Sequence, residues 1–257
     1  MKILGIIPAR MAASRFPGKP LKLISGIPMI GHCYFRTKLC DAFDEIYVAT
    51  CDIEIFNYIE SIGGKAIMTS DSHERATERT AEALIKIEKI NNSKFDIIVM
   101  IQGDEPLVYP EMLNQIVQPF SNKTISVSNL MVKLDDINDI NSADTVKVVM
   151  DNNKNALYMS REAIPSSKNF KKNISYFRQL GLIAFRRKLL LDFITFPPTK
   201  LEIIESVDMN RFLENNIQIH MVETIFEVDA VDTPRDLVRV VEKMKKDKLY
   251  KLYKFKI

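Results

Sequence analysis

The chain has 257 residues, 46% hydrophobic and 27% charged, enough apolar content over enough length to bury a substantial core and to exclude a disordered protein. Its 36 Lys and Arg against 33 Asp and Glu leave a net charge of +3, too balanced to argue for nucleic acid as a partner. Cys33, Cys40 and Cys51 form no Cys-x-x-Cys pair, which excludes a disulfide framework and a zinc cluster and fits a reducing cytoplasm; the first apolar run is too brief for a signal peptide, and no segment reaches membrane-spanning length without charges.

The run ILGII at residues 3–7 reads as a buried strand, bounded by Pro8. Beyond it the character inverts. Small residues (Ala9, Ala12, Ala13, Ser14, Gly18) allow close backbone approach, and Arg10, Arg15 and Lys19 concentrate cationic donors in one loop. A loop leaving the carboxyl end of the first strand of an open α/β sheet is a ligand site, and these donors suit a polyphosphate, although a solvated surface also fits. Neither a GxGxxG nor a GxxxxGK[ST] pattern is present.

Residues 29–42 read as a helix with His32 as a cap or surface residue, 45–50 as a strand, 53–62 as a helix ended by Gly63-Gly64, and 65–69 as a short strand. A polar loop then enters a helix starting between Ser72 and Thr77, where Arg75 and Arg79 fit either an anion or ordinary pairing with Glu74 and Glu78. FDIIVMI at 95–101 is the strongest strand and ends in Gln102-Gly103-Asp104-Glu105-Pro106. Carboxylates directly after a buried strand fit a metal ion or an Asx-type turn equally well. The alternation of strand and helix predicts a doubly wound, mostly parallel sheet. The second half reads as a mixed lobe: strands at 124–132, 145–150, 156–160 and 177–185, a helix at 201–215, and strands at 217–222 and 224–228. A final helix follows Val231-Asp232-Thr233-Pro234, with Asp232 capping it or reaching into a site. Seven lysines from Val241 onward alternate with apolar residues, consistent with a helix whose apolar side packs on the body rather than with membrane insertion.

IPAR with SRFPGKPL, a strand ending in QGDEP, VKVV with ALYMSR, an LE followed by an arginine-bearing helix, and VDTPRDL occur in this order over residues 6–241. The ordered set resembles the 3-deoxy-manno-octulosonate cytidylyltransferases, the CMP-Kdo synthetases. The resemblance implies a nucleotide-diphospho-sugar transferase-like α/β fold with a smaller mixed lobe used for dimerisation. It implies one domain, 1–257, comprising a nucleotide-binding half at 1–122, a sugar-binding and dimerisation lobe at 123–222, and a return strand, metal aspartate and C-terminal helix at 223–257.

The implied reaction is a magnesium-dependent transfer of CMP from CTP to the anomeric hydroxyl of a 2-keto-3-deoxy sugar acid, releasing pyrophosphate. By the same resemblance Pro8, Ala9, Arg10, Ser14 and Lys19 hold CTP, with Arg15 a neighbouring cation and Thr77 and Arg79 in a loop near the nucleotide. Asp104 and Asp232 bind Mg2+, Gln102 faces both nucleotide and sugar, Arg161 suits the sugar carboxylate, and Lys19, Arg10 and Asp104 carry the catalysis. A cytoplasmic homodimer is implied. The chain departs from the family where HxSGTDR becomes His73-Glu74-Arg75-Ala76-Thr77-Glu78-Arg79. On the sugar side it carries Gln179, Ile183, Asp208 and Met209 where the family has His, Tyr, Glu and Gln. Loss of a Tyr hydroxyl and a Gln amide predicts a different, less hydroxylated or amino- or acyl-bearing acid, such as 8-amino-Kdo or a nonulosonic acid. A nucleotidyltransferase for a sugar phosphate is disfavoured by the missing GxGxR opening; a silent nucleotide-binding homologue would have to keep Asp104, Asp232 and Lys19 for no purpose.

Overall fold

The computed structural model describes residues 1–12, 15–168 and 174–255. In chain order it opens with strand β1 (Ile3–Ala9), a hairpin of β2 (Leu23–Ile24) and β3 (Ile27–Pro28), and helix α1 (Met29–Thr37). Then come β4 (Glu45–Thr50), α2 (Ile53–Ser61), β5 (Ala66–Met68), α3 (Ala76–Asn91), β6 (Ile97–Met100) and α4 (Pro110–Val117). A second run holds β7 (Val127–Leu134), α5 (Ile137–Asn141), β8 (Lys147–Met150), β9 (Ala156–Ser160), β10 (Tyr176–Arg186), α6 (Arg187–Phe193), α7 (Lys200–Glu205), α8 (Met209–Glu214) and β11 (His220–Thr224). The chain ends in α9 (Pro234–Lys246) and α10 (Tyr250–Tyr253). By internal contacts it divides into two units, Met1–Asn114 with Val228–Ile257, and Gln115–Glu227.

In the first unit β1 pairs in parallel with β4 on one side and β6 on the other, and β4 pairs in parallel with β5. Every residue of β1 and β6 is buried, which is why both read as unbroken apolar runs rather than alternating ones. The chain leaves β1 toward β4 and β5, then returns to lay β6 on the opposite side. The carboxyl ends of β1 and β6 thus flank a topological switch point, and the loops carrying Arg10 to Lys19 and Gln102 to Asp104 emerge there. Helix α9 buries Val240 and Met244 in a cluster with Ile24, Met29, Leu107 and Val231.

In the second unit β7 runs antiparallel to β10 and parallel to β11, and β8 pairs with β9 and β10. The ladder between β10 and β7 shifts register between Gln179 and Ile183, and the Asn129 amide fills the irregularity by donating to Leu180 O and Leu182 O at 2.7 and 3.1 Å. No helix among the described residues is long and apolar enough to cross a membrane.

Several sequence expectations need correction. The helix expected over 201–215 is two, α7 and α8, because Ser206 takes a left-handed conformation at φ 53°. A buried bidentate pair, Arg211 Nε to Glu202 at 2.7 Å, ties the two pieces together, and its two-pronged fit compensates the removal of both charges from water. A single strand, β11, replaces the pair expected over 217–222 and 224–228. His32 is neither a cap nor a surface group: it is fully buried, bonded to Ile24 O at 2.8 Å and to the Tyr253 hydroxyl at 2.9 Å. In the lysine-rich tail, Tyr253 is buried as expected, but Leu252 and Phe255 are 58% and 84% exposed.

Candidate active site

The first unit contains an open cleft of about 270 Å3 at the switch point, lined by Pro8, Ala9, Arg10, Arg15, Lys19, Gln102, Asp104 and Asp232 among others. Local hydrogen bonds hold the loop after β1: Met11 N–H donates to Asp52 Oδ2 at 2.8 Å, and Gly18 N–H to Met11 O at 2.9 Å. Gly18 sits at φ 71°, a conformation that lacks penalty only without a Cβ, and from it a short 3-10 turn carries Lys19 inward. Ser14 lies outside the described residues.

Lys19 is the hub. Its ammonium donates to Asp104 Oδ2 at 2.7 Å, to Val231 O at 3.0 Å and to Asp232 Oδ1 at 3.3 Å. Burial alone would lower the Lys19 pKa, but the Asp104 and Asp232 carboxylates outweigh it and hold it above the ordinary value. Two aspartates 128 positions apart in sequence meet here because Val231 N–H bonds to Asp104 O at 2.9 Å. Thr233, not Asp232, caps α9: it closes a capping box with Asp236, with Pro234 in the first turn. Asp232 is therefore released toward the cleft, where Arg15 Nη2 also reaches it at 3.1 Å. Behind Asp104, Gly103 is pressed against β1; an added Cβ would lie 2.7 Å from Pro8 O.

The segment before α3 forms another part of the wall through His73, Glu74, Arg75 and Ala76. Arg79 is only 3% exposed and lines the cleft from within the helix. Its Nη1 donates to Ser70 O at 3.1 Å and to the Thr69 hydroxyl, and its Nη2 has no hydrogen-bond partner among the described residues. A buried guanidinium nitrogen left over beside a cleft is a donor for a ligand acceptor. Thr77 is in the first turn of α3 rather than in a loop. It is fully buried, directs its hydroxyl toward Met100 Sδ at 3.8 Å, and is not part of the lining.

Apart from Gln102, which lines the cleft, the sugar-side candidates belong to the second unit. The Arg161 guanidinium donates to Glu205 O at 2.7 Å and to Ala143 O at 2.8 Å, so it is aimed by main-chain carbonyls rather than by a carboxylate. Gln179 donates to Asn129 Oδ1 at 2.9 Å and to Leu180 O at 2.8 Å. Ile183 and Met209 are 2% and 0% exposed, so both are packed as core; Asp208 is half-buried at the start of α8. Sequence reasoning passed over Asp52, which anchors the Arg10 loop, and Glu82, which grips the His73 segment. The only signal for either was a carboxylate within two positions of a strand end or one helical turn inside a helix.

Comparison with known proteins agrees with this architecture. Residues 4–225 match the family model described as Cytidylyltransferase. The chain is 40% identical over 250 residues to the 3-deoxy-manno-octulosonate cytidylyltransferase of Thermodesulfovibrio yellowstonii, covering 95% of this chain and 98% of that protein. It is also 40% identical over 250 residues to the enzyme of the same name from Fusobacterium nucleatum, covering 97% and 99%. Among solved structures, a CMP:2-keto-3-deoxy-manno-octonic acid synthetase complexed with CTP superposes with a TM-score of 0.87 at 33% identity, over 96% of this chain and 99% of that one. A 4-diphosphocytidyl-2C-methyl-D-erythritol synthase from Anaerococcus prevotii, at 14% identity and a TM-score of 0.64, shares the fold.

Proposed function

We propose, from the premise that this chain belongs to the 3-deoxy-manno-octulosonate cytidylyltransferase family, that it transfers CMP from CTP to the anomeric hydroxyl of a 2-keto-3-deoxy sugar acid, Kdo in the first instance, and releases pyrophosphate. The observation that carries this reading is the convergence of Lys19, Arg10 and Arg15 with Asp104 and Asp232 in one cleft at the switch point.

The triphosphate of CTP brings about four negative charges, and Arg10, Arg15 and Lys19 are the groups that neutralise them. Lys19 remains charged throughout because its pKa is held up, so it stabilises charge on the phosphates without exchanging a proton at neutral pH. The sugar hydroxyl attacks the α-phosphorus in line; the new P–O bond forms as the bond to the bridging α,β oxygen breaks, the electron pair leaves with pyrophosphate, and the hydroxyl proton passes to water. Most of the acceleration comes from positioning and fixed charge, which explains a site built from loops clamped by main-chain hydrogen bonds.

Asp104 and Asp232 fit a magnesium ion. Both are hard oxygen donors, and they converge on one ammonium. When bound, the ion supplies positive charge against the developing pyrophosphate. Asp104 and Asp232 would hold the ion while also facing the Lys19 ammonium. Assembly as a homodimer is part of this proposal, and light scattering on the purified protein tests it.

Pyrophosphate release from CTP, Mg2+ and Kdo tests the activity; no release with Kdo or any related acid would sink it. The departures at Gln179, Ile183, Asp208 and Met209 motivate a second reading, in which the acceptor is a different keto-deoxy acid such as 8-amino-Kdo or a nonulosonic acid, and the core packing of Ile183 and Met209 weighs against it. Turnover with one of these and not with Kdo selects that reading. Ordinary turnover with Kdo discards it.

A further inference from the structure

The segment at residues 70–75, of which His73, Glu74 and Arg75 line the cleft, is gripped from behind by one carboxylate. Glu82, on the second turn of α3, accepts from Ser70 N–H at 2.9 Å, from His73 Nε2–H, and from Lys86 Nζ at 2.6 Å. Ser70 and His73 are also the residues whose carbonyl oxygens receive two of the cleft guanidiniums: Ser70 O accepts from Arg79 Nη1 at 3.1 Å, and His73 O from Arg10 Nη1 at 3.3 Å. The loop is thus held at the same two points from which it aims two arginines, one from the β1 loop and one from α3. We infer that Glu82 is a positioning residue for nucleoside triphosphate binding, acting through Ser70 and His73 to orient Arg79 and Arg10.

Lys86 completes the charge balance but touches neither arginine. Burial pushes the Glu82 carboxyl up, but hydrogen bonds from Lys86, Ser70 and His73 outweigh it and bring its pKa down to about 2, so the grip persists at all working pH values. The inference rests on the reading of this cleft as the CTP site. Its effect falls on nucleotide affinity, because neither arginine it orients belongs to the second unit, where the candidate sugar residues other than Gln102 reside.

The test compares Glu82→Ala, Glu82→Gln and Lys86→Ala by calorimetric CTP binding, steady-state kinetics for both substrates, and melting temperature. Glu82→Ala is expected to raise both the Kd and the KM for CTP about ten-fold while kcat and the KM for the sugar acid stay within about two-fold. Glu82→Gln keeps an oxygen for Ser70 N–H and recovers most of that loss. Lys86→Ala lowers the melting temperature slightly and leaves CTP affinity as in the wild type. Unchanged CTP affinity in Glu82→Ala, a fall in kcat with the KM for CTP unchanged, or an equal defect in Lys86→Ala would each overturn the inference. Wild-type protein that binds CTP but turns over no sugar acid overturns the acceptor assignment, while the binding arm still reads Glu82. Wild-type protein that does not bind CTP overturns both.

Discussion

Lys19 and Gly103 define the site at the scale of single residues. Lys19 is bonded to both Asp104 and Asp232, so it offsets their charge before substrate arrives and, on the proposed reading, faces the triphosphate when it does. Lys19→Ala should lower kcat/KM by about 100-fold or more, the usual loss for a fixed donor that stabilises transition-state charge. A rate close to that of the unaltered enzyme in a pyrophosphate-release assay would remove Lys19 from the mechanism. Gly103 acts through space rather than charge. A methyl group there would sit 2.7 Å from Pro8 O and 3.2 Å from Ala9 Cβ, so Gly103→Ala must displace the backbone that carries Asp104. Overpacking of this kind costs about 1 to 3 kcal/mol. The denaturant midpoint should fall and activity should fall further than stability alone accounts for; an unchanged midpoint would mean that the loop yields freely. Gly103 was noticed in the sequence as a turn residue, but its contact with β1 was invisible there, since Pro8 and Gly103 are brought together only by the parallel pairing of β1 and β6.

At the scale of elements, the C-terminal helix is held by a buried polar network. Ile24 O requires an N–H, so His32 donates from Nε2 and accepts the Tyr253 hydroxyl at Nδ1, while Arg36 Nε donates to that hydroxyl at 3.2 Å and Arg36 Nη2 pairs with Asp247 at 2.6 Å. Burial, with the Arg36 charge adding to it, lowers the His32 pKa from 6.5 to about 4. The unfolded chain therefore takes up this proton at higher pH than the folded one. Stability from this group is complete above pH 6.5, declines by about 3 kcal/mol as pH falls to 4, and is flat below that. Urea midpoints measured across that range should show the slope, and His32→Gln should flatten it; equal slopes in both proteins would assign the titration elsewhere. The sequence reads His32 as a cap or surface residue because it shows no partner for a buried imidazole. Its acceptors and donors come from Ile24 and from a tyrosine 221 positions away.

For the whole molecule, the proposed metal dependence is separable from fold stability. Lys19 pairs with both Asp104 and Asp232 and offsets their mutual repulsion in the folded chain, so a chelator should abolish turnover while leaving the melting temperature of the nucleotide-free protein unchanged. Added Mg2+ should restore the rate. Retained activity in excess chelator would mean that the two carboxylates serve Lys19 alone, and a large fall in melting temperature would make the ion structural.

The sequence by itself determined the parallel α/β character of the first unit, because β1 and β6, buried on both faces, can be written only as continuous apolar runs. It also determined the family, because IPAR, QGDEP and VDTPRDL survive in order, and each belongs to a loop whose chemistry needs those residue types. Tertiary structure alone decided how those loops meet. Whether Asp232 would cap a helix or serve the cleft turned on Thr233 taking the cap, and whether Arg79 would pair with a glutamate or stay buried with a free donor turned on Thr69 and Ser70. It also decided that Ile183 and Met209 pack as core, that a helix breaks at Ser206, and that Glu82 reaches the His73 segment. Each of these depends on which partner wins a buried hydrogen bond or fills a space, and that competition is settled between segments distant along the chain, beyond the reach of local spacing.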